Sequence, residues 1–313
     1  MKSSFRYCAL ALLFAGLASI PLFVRVPNPY NNLLLNELHD CGHSFLFFLF
    51  HLLLLFLVRH LAIRFTRSEP IALILLGTSA ISFAVGGLIE LIQPFVHRDS
   101  SWGDVGRNTL GIIAANGAFI AALPGIHSFW QKLAGAFVAT GTLLLSLTPA
   151  APWAYAQILR DQSFPLLMDY ETPTLRKYLN AAAGARVHVV PAPAAWHENQ
   201  SWVAQVTLPQ GARYPGMQIR NPTPNWQHFH TLSFDAYSPN RRTEIIAVNI
   251  YSVEKRRIPF VHHKFAIEPG SHHYNLTLPE PDVLENNHIS DVLWHAMTTE
   301  HSATLYLDNI VLH

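Results

Sequence analysis

Long apolar runs in the first half of the chain limit its possible folds more than any other feature. A helix needs about 20 mainly apolar residues to cross the hydrocarbon core of a bilayer. Five runs approach that length, at residues 7–24, 42–58, 71–92, 104–123 and 130–147. They predict an all-α polytopic membrane domain of about five transmembrane helices over residues 1–150.

The first run has an alternative interpretation as a signal peptide. Lys2 and Arg6 precede a short apolar core that is followed by small residues. No clean Ala-x-Ala cleavage site follows, and further apolar runs come soon after. We therefore expect a retained helix. Either interpretation delivers the next loop to the same side of the membrane.

Basic residues in short loops predict the orientation of the helices, because cytoplasmic loops are enriched in lysine and arginine. The basic residues that flank or join the runs are Lys2, Arg6, Arg59, Arg64, Arg67 and Lys132. Their positions place the N-terminus in the cytoplasm. After five spans, the rest of the chain is expected on the outer side, periplasmic or extracellular.

Composition separates the two halves of the chain. Half of the 313 residues are hydrophobic and 13% are charged, which is typical of membrane segments, whereas the residues after 160 resemble a soluble domain. The net charge of +1 gives no indication of nucleic-acid binding. Both cysteines, Cys8 and Cys41, lie in the first half, so disulfides cannot stabilise the second.

Polar residues collect at the predicted outer ends of three spans. They are Asp40 and His43 at the start of the second span, Glu90 and Gln93 at the end of the third, and Asp104 and Asn108 at the start of the fourth. Spacings of three or four residues place each pair on one helix face. We expect the three helix ends to converge on one outward-facing polar pocket. Glu90 is the most informative member, since a carboxylate within a span is costly unless it is paired or hydrated.

Some of these polar residues also have a purely structural explanation. Asp40 at a helix N-terminus is a favourable cap, Ser101 begins a sequence resembling a capping box, and Arg98 suits a helix C-terminus. Capping does not explain Glu90 or Asn108, which lie about one turn inside a span. For these two residues, a binding site and a buried polar network that only holds the helices together are alternative explanations.

The ordered motifs of this region resemble those of a known membrane family. Asp40-Cys-Gly-His43, Glu90-Leu-Ile-Gln93-Pro-Phe, Arg98-Asp-Ser-Ser101, Asp104 and Asn108-Thr-Leu-Gly111 resemble the VanZ-like family, over roughly residues 30–123. One member of that family is associated with tolerance of the glycopeptide antibiotic teicoplanin, and the family's biochemical activity is generally unassigned. The resemblance implies a bacterial cytoplasmic membrane protein. It implies a set of site residues more than a particular reaction. The implied site residues are Asp40, His43, Glu90, Gln93, Arg98, Ser101, Asp104 and Asn108.

The second half reads as short strands separated by turns. Nine strand-like runs lie at residues 186–190, 202–208, 216–220, 231–237, 244–252, 262–267, 273–278, 289–296 and 304–312. They predict an all-β jelly-roll sandwich domain over residues 165–313. Pro149, Pro152 and Pro165 predict that residues 151–164 form a linker.

Motifs of the second half resemble the jelly-roll carbohydrate-binding modules of the galactose-binding-like type, over about residues 165–313. The motifs are Asp169-Tyr-Glu171, Tyr214-Pro-Gly-Met217, Asn221-Pro-Thr-Pro-Asn-Trp226, Leu232-Ser-Phe-Asp235 and Leu305-Tyr-Leu-Asp-Asn-Ile-Val-Leu312. Such domains often bind sugars through aromatic stacking and polar contacts, and some carry a structural calcium. The resemblance implies a sugar ligand, and a calcium for which oxygens near Asp169, Glu171 and Asp308 are suited.

Aromatic and histidine side chains of this half have competing interpretations. Trp226, in a loop rich in proline and asparagine, is the best candidate for a sugar-stacking platform, although a plug at the end of the sandwich explains it equally well. Trp202 and Trp294 are expected in the core. The pairs at residues 262–263 and 272–273 would suit a metal patch, but solvated strand ends explain them better.

Three functions remain open from the sequence, and we prefer the first. A membrane anchor would present a sugar-binding sandwich at the cell envelope, with the polar pocket binding a lipid headgroup or a lipid-linked glycan. Alternatively, Asp40, His43, Glu90 and Asp104 would serve a membrane enzyme as acid–base groups or metal ligands on a lipid-linked or peptidoglycan-related substrate. No nucleophile elbow, HExxH motif or phosphate loop supports that enzyme. In the third function, the polar residues at the helix ends only hold the helices together and the sandwich recruits a partner protein.

Overall fold

The computed structural model describes residues 28, 32–66, 69–96, 101–126, 128–254, 258–285, 287–297 and 299–313. These residues form two compact units. One contains Leu34–Ala151, and the other contains Asn28–Leu33 and Pro152–His313. The first predicted span, at residues 7–24, and the site residue Arg98 lie outside the described residues.

The first unit is helical. Its helices are α1 (Leu33–Thr66), α2 (Ile71–Ile92), α3 (Trp102–Ala122) and α4 (Phe129–Ser146), and a 3₁₀ turn, Gln93–Val96, follows α2. Two helical segments are long and apolar enough to cross a membrane, Leu33–Phe65 and Ile71–Phe95. A third is added if α4 and the next helix count as one bent span. Among the described residues, five such helices are not seen, and the five-span arrangement stays a prediction.

Small residues let α3 approach its neighbours closely. A Cβ atom added at Gly111 would collide with backbone atoms of Ser44 and Phe48 on α1. A Cβ atom added at Gly117 would lie 2.6 Å from the carbonyl oxygen of Gly135 on α4. Glycine at such contacts permits backbone-to-backbone packing of apolar helices. This packing holds α3 against α1 and α4.

The second unit is an antiparallel β-sandwich. Its strands are β1 (Leu166–Met168), β2 (Leu179–Ala182), β3 (Arg186–Pro191), β4 (Trp202–Leu208), β5 (Gly216–Arg220), β6 (Thr231–Ser238), β7 (Glu244–Ser252), β8 (Val261–Ile267), β9 (Gly270–Thr277), β10 (Ile289–Ala296) and β11 (Ala303–Leu312). The larger sheet has the order β3-β4-β11-β6-β9, with β1 also paired to β11, and the smaller has the order β2-β5-β10-β7-β8. The nine predicted strands are all present, while β1 and β2 were not predicted.

Alternation along the strands builds the core between the sheets. In β6, Leu232, Phe234 and Ala236 are fully buried, whereas Asp235 between them is only partly buried. The Phe234 ring meets Trp294 of β10 edge-on, with ring centroids 6.0 Å apart. Because β6 and β10 belong to different sheets, this contact joins the two layers.

The predicted linker is instead a helix, α5 (Ala151–Ser163). The last apolar helix, α4, ends at Ser146 before these prolines, and Pro152 is tolerated in the first turn of α5, where its missing N–H has no partner to lose. Ala156 is fully buried in the sandwich core. The Arg160 guanidinium donates to the carbonyl oxygen of Asn221 at 2.7 Å. Residues of α5 therefore belong to the sandwich unit.

Deleting α5 is expected to destabilise the sandwich. A fragment of residues 165–313 loses the apolar contact of Ala156 and the donor to Asn221, and a buried hydrogen bond from a charged group contributes about 1.5–3 kcal/mol. We expect the fragment 151–313 to have a free energy of unfolding higher by at least about 2 kcal/mol, measured by urea denaturation with tryptophan fluorescence. Equal stability of the two fragments would contradict the role assigned to α5.

Candidate functional site

Three helices bring ionisable side chains together at one end of the helical unit. His43 of α1, Glu90 of α2 and Asp104 of α3 each offer a ligand atom, and these atoms lie within 4.8 Å of one another. All three side chains are buried. We call this group the triad. It unites three of the eight residues that the sequence proposed as a site.

Ser101 holds one carboxylate of the triad. Its backbone N–H donates to Glu90 Oε2 at 3.0 Å. Its side-chain oxygen accepts from the backbone N–H of Gly103 at 3.1 Å, which makes Ser101 the N-cap of α3. One residue thus starts α3 and fixes the orientation of the carboxylate on α2.

Arg107 neutralises part of the negative charge around the triad. Its guanidinium lies 2.6 Å from Asp104 Oδ1, 3.8 Å from Glu37 Oε2 and 3.9 Å from Asp40 Oδ2. Asp40 is therefore linked to the triad through Arg107 and is itself partly exposed. Neither Arg107 nor Glu37 was among the predicted site residues. The three-residue spacing between Asp104 and Arg107 on one helix was the signal available in the sequence.

Two predicted amide side chains are also buried here. Gln93 is fully buried in the 3₁₀ turn, and Asn108 is 2% exposed. Within the described part of the chain, neither polar atom of the Asn108 side chain has a hydrogen-bond partner. A Cβ atom at Gly86, one turn before Glu90, would lie 3.2 Å from Asn108 Nδ2. Asn108 therefore occupies the turn directly beneath the triad.

A separate polar contact lies two turns from the triad. His51 Nδ1 is 2.8 Å from Ser82 Oγ, and His51 Nε2 is 3.1 Å from Asn116 Oδ1. Each polar group meets a partner on a neighbouring helix. This arrangement is typical of a network that holds helices together.

The sandwich carries a cavity of about 600 Å³ on the outer face of its larger sheet. Strands β6, β9 and β11, the loop between β3 and β4, and Glu171 in the loop after β1 line it. The lining includes three carboxylates and several other polar groups, among them Glu171, Glu198, Asp235, Asn199, His273 and Asn309. Asp235 reaches this face because it alternates with Phe234, which enters the core.

Hydrogen bonds fix the carboxylate at the centre of the cavity. Asp235 Oδ1 lies 2.7 Å from His273 Nδ1 on the paired strand β9, and Asn309 Nδ2 donates to Asp235 Oδ2 at 2.8 Å. A break in strand register between Asp308 and Val311, with a φ of 47° at Asn309, brings this amide into position. Asparagine adopts such a left-handed conformation more readily than most residues.

Asp308 supports the wall of the cavity from behind. It is 1% exposed, and its Oδ2 atom accepts from Asn199 Nδ2 at 2.6 Å and from Ser201 Oγ at 2.8 Å. Among the described residues, its Oδ1 atom has no hydrogen-bond partner. Burial raises the pKa of the Asp308 carboxyl above its ordinary value, and the two hydrogen bonds oppose that rise. Asp308 thus anchors the loop between β3 and β4 to the sheet.

The three carboxylates considered for calcium have separate partners. Asp169 Oδ1 accepts from the backbone N–H of Glu171 at 3.1 Å, and Glu171 Oε1 accepts from the backbone N–H of Trp202 at 2.7 Å. Within the described ranges, Asp169, Glu171 and Asp308 do not form a group of mutually close ligand atoms like that of the triad. The calcium site stays a prediction of the family resemblance.

The tryptophans differ from the sequence expectations. Trp226 is fully buried and its Nε1–H donates to the Thr223 carbonyl oxygen at 2.7 Å, so it plugs the core and offers no ring face to a sugar. Trp294 is in the core as expected, but Trp202 is 41% exposed and lies under the Arg176 guanidinium. The prediction of a core position for Trp202 was wrong because the first residue of β4 points outward. Trp196, which lines the cavity, was not predicted there.

Comparisons with known proteins give matches among solved structures. No family model matches the chain, and a search of curated proteins found no match. An exo-β-agarase matches at 14% identity and a TM-score of 0.40 over 47% of this chain and 25% of the agarase, so this chain spans about a quarter of that protein. A CBM4 structure matches at 11% identity and a TM-score of 0.34, over 44% of this chain and 95% of that one. The family 11 carbohydrate-binding module of the cellulase Lic26A-Cel5E of Clostridium thermocellum matches at 14% identity and a TM-score of 0.30, over 43% and 85%. The likeness lies in the β-sandwich.

Replacing Asp308 by asparagine is expected to change the pH dependence of stability. A carboxyl whose pKa is raised in the fold contributes its stability at low pH and loses it as the pH rises through the folded-state pKa. The asparagine of the Asp308→Asn variant does not titrate. The unfolding temperature of the variant minus that of the native sequence should therefore be higher at pH 7 than at pH 4. Thermal unfolding of the 151–313 fragment at both pH values measures this difference.

The matched control is Glu300→Gln, because Glu300 is exposed and lies outside the cavity lining. This control should show no such pH dependence. A constant destabilisation by Asp308→Asn at both pH values would contradict the assigned pKa shift.

Proposed function

We propose that this protein is an integral membrane protein of the bacterial envelope whose exported sandwich binds a glycan. The cavity on the larger sheet carries the proposal. Its volume of about 600 Å³ suits a few sugar units, and its carboxylates, amides, hydroxyls and imidazoles match the donors and acceptors of sugar hydroxyls.

The polar groups of the cavity are held in place before a ligand arrives. Asp235 is fixed by His273 and Asn309, and Glu171 is fixed by a backbone N–H of β4. The Trp196 ring stacks on Tyr237, with centroids 5.7 Å apart and an interplanar angle of 19°. Side chains that are already ordered lose less conformational entropy on binding. This favours specific recognition over loose surface contact.

The charge of the cavity restricts the class of glycan. Glu171, Glu198 and Asp235 contribute three carboxylates, and the described residues that line the cavity include no lysine or arginine. A phosphate- or carboxylate-rich glycan would be repelled by this field. We therefore propose uncharged sugars or amino sugars as the ligands.

Glycan binding is tested by calorimetric titration of the 151–313 fragment with neutral, amino and acidic oligosaccharides. We expect heat of binding with neutral or amino sugars. Asp235→Asn should weaken binding about tenfold or more, since a hydrogen bond to a charged group contributes about 1.5–3 kcal/mol. Glu300→Gln, outside the cavity, is the matched control and should bind normally. Absence of heat across the panel, or unchanged binding by Asp235→Asn, would refute the proposal.

The membrane part of the proposal is supported by α1 and α2, whose lengths and hydropathies suit transmembrane helices. We propose five spans with the N-terminus in the cytoplasm and the sandwich outside, following the basic loop residues. The resemblance to the VanZ-like family supports a role in glycopeptide tolerance, in which the outer helix ends contact a lipid headgroup or a lipid-linked glycan.

Orientation is tested with fusions of alkaline phosphatase, which is active only after export. A fusion after residue 313 should be active, and a fusion after Arg64, in the last turn of α1, should be inactive. A green fluorescent protein fused at the same two places should give the opposite pattern. An inactive phosphatase after residue 313 would overturn the proposed topology.

A further inference from the structure

We infer that the triad of His43, Glu90 and Asp104 binds a divalent transition-metal ion such as Zn²⁺ or Mn²⁺. This inference is independent of glycan binding by the sandwich. The three ligand atoms come from three different helices and lie within 4.8 Å of one another. Ligands bound tetrahedrally at 2.0–2.2 Å to one ion lie about 3.3–3.6 Å apart. Small side-chain movements therefore suffice to coordinate an ion.

The ligand types favour a transition metal. An imidazole nitrogen suits zinc, iron or copper, and carboxylate oxygens also suit manganese and magnesium. One imidazole with two carboxylates is a set that zinc and manganese share, and three protein ligands leave coordination positions for water or a substrate. Cys41, although buried nearby in sequence, is not part of the set.

The local charge also favours a cation. Glu37, Asp40 and Asp104 all pair with Arg107, so one guanidinium serves three carboxylates. Glu90 adds a fourth carboxylate, which is buried against Asp104. Two buried carboxylates at this separation repel one another in a medium of low polarity. A divalent ion between them would replace that repulsion by attraction.

Contacts around the triad resemble those that orient metal ligands. Glu90 Oε2 accepts from the Ser101 backbone N–H, and Asp104 Oδ1 accepts from Arg107. Each contact engages one of the two oxygens of a carboxylate, and hydrogen-bonded carboxylates are the usual form of metal-ligating acids. Orientation by a helix N-cap and by a neighbouring turn keeps both carboxylates directed at His43.

Asn108 gives an independent indication of a missing polar group. Its amide is 2% exposed, and neither of its polar atoms has a hydrogen-bond partner in the described residues. Asn108 lies one turn after Asp104, and helical side chains lean toward the N-terminus of their helix, here toward the triad. Buried amides without partners are rare. A water molecule on the inferred ion would supply the partner.

A purely structural network explains the triad less well. In the contact two turns below, His51 pairs with Ser82 and Asn116, so donors meet acceptors across the helices. In the triad, two carboxylates instead face each other and an imidazole within 4.8 Å. The mutual repulsion of these two carboxylates opposes helix packing, and the contact of Arg107 with Asp104 offsets part of it.

The test uses full-length protein in detergent, stripped with a chelator and dialysed against Zn²⁺ or Mn²⁺. Elemental analysis should find about one ion per chain, and the ion should raise the unfolding temperature. Glu90→Gln and Asp104→Asn should each lower the bound metal at least about tenfold, which is typical of losing one ligand or its orientation. His51→Gln, from the lower contact on the same helices, is the matched control and should retain the metal.

Two results would overturn the inference. One is less than about a tenth of an ion per native chain with both metals, and the other is equal metal binding by the native chain and a folded Glu90→Gln. If that variant does not fold, the Co²⁺ spectrum of the native protein decides. Absorption bands from a nitrogen-ligated site support the inference, and the spectrum of hydrated Co²⁺ refutes it. Glycan titration of the metal-free protein should be unchanged, which separates this inference from the proposed function.

Discussion

The close contact between α1 and α3 at Gly111 is the constraint on which the helical unit depends. No Cβ atom fits between Gly111 and the backbone of Ser44 and Phe48. Ser44 also donates its hydroxyl to the Arg107 carbonyl oxygen at 2.9 Å, one turn before that glycine. Because His43 precedes Ser44 and Asp104 precedes Arg107, the contact that joins the two helices also brings the imidazole beside the carboxylate. A larger residue at position 111 would separate the helices and the triad together.

Helical periodicity explains the layers of this unit. His43, Glu90 and Asp104 form one layer, and a step of four residues along each helix gives Phe47, Gly86 and Asn108. In that second layer, the absence of a side chain at Gly86 makes room for both Phe47 and Asn108, whose atoms lie 3.2 Å from its missing Cβ. A further step reaches His51 and Ser82, which hydrogen-bond directly. A tightly packed layer that contains Asn108 therefore lies between the two polar layers.

Local patterns in the sequence predicted the parts of the fold that local interactions decide. Strand alternation and turn residues located nine strands, four of them with the same bounds as in the structure, among them β7 (Glu244–Ser252). β1 and β2 were not predicted because strands of three and four residues show little alternation of apolar and polar residues. α5 was not predicted because Pro152 was interpreted as part of a linker, although proline is tolerated in the first turn of a helix. Spacing along helices predicted His43, Glu90 and Asp104. The cavity left no local pattern, because it is assembled from two loops and three strands distant in sequence.

Both proposed sites orient a carboxylate with a backbone N–H at the start of a regular element. Ser101 N–H, at the start of α3, holds Glu90, and Trp202 N–H, at the start of β4, holds Glu171. Such donors are fixed by the element itself and cost no side-chain entropy. The two sites differ in burial, since Glu90 is 6% exposed while Glu171 is exposed. Water can solvate the charge of Glu171 and exchange with sugar hydroxyls, whereas the buried pair of Glu90 and Asp104 is stabilised by a cation beside it, as Arg107 already is at Asp104. The same local device therefore suits a neutral ligand in the sandwich and a cation among the helices.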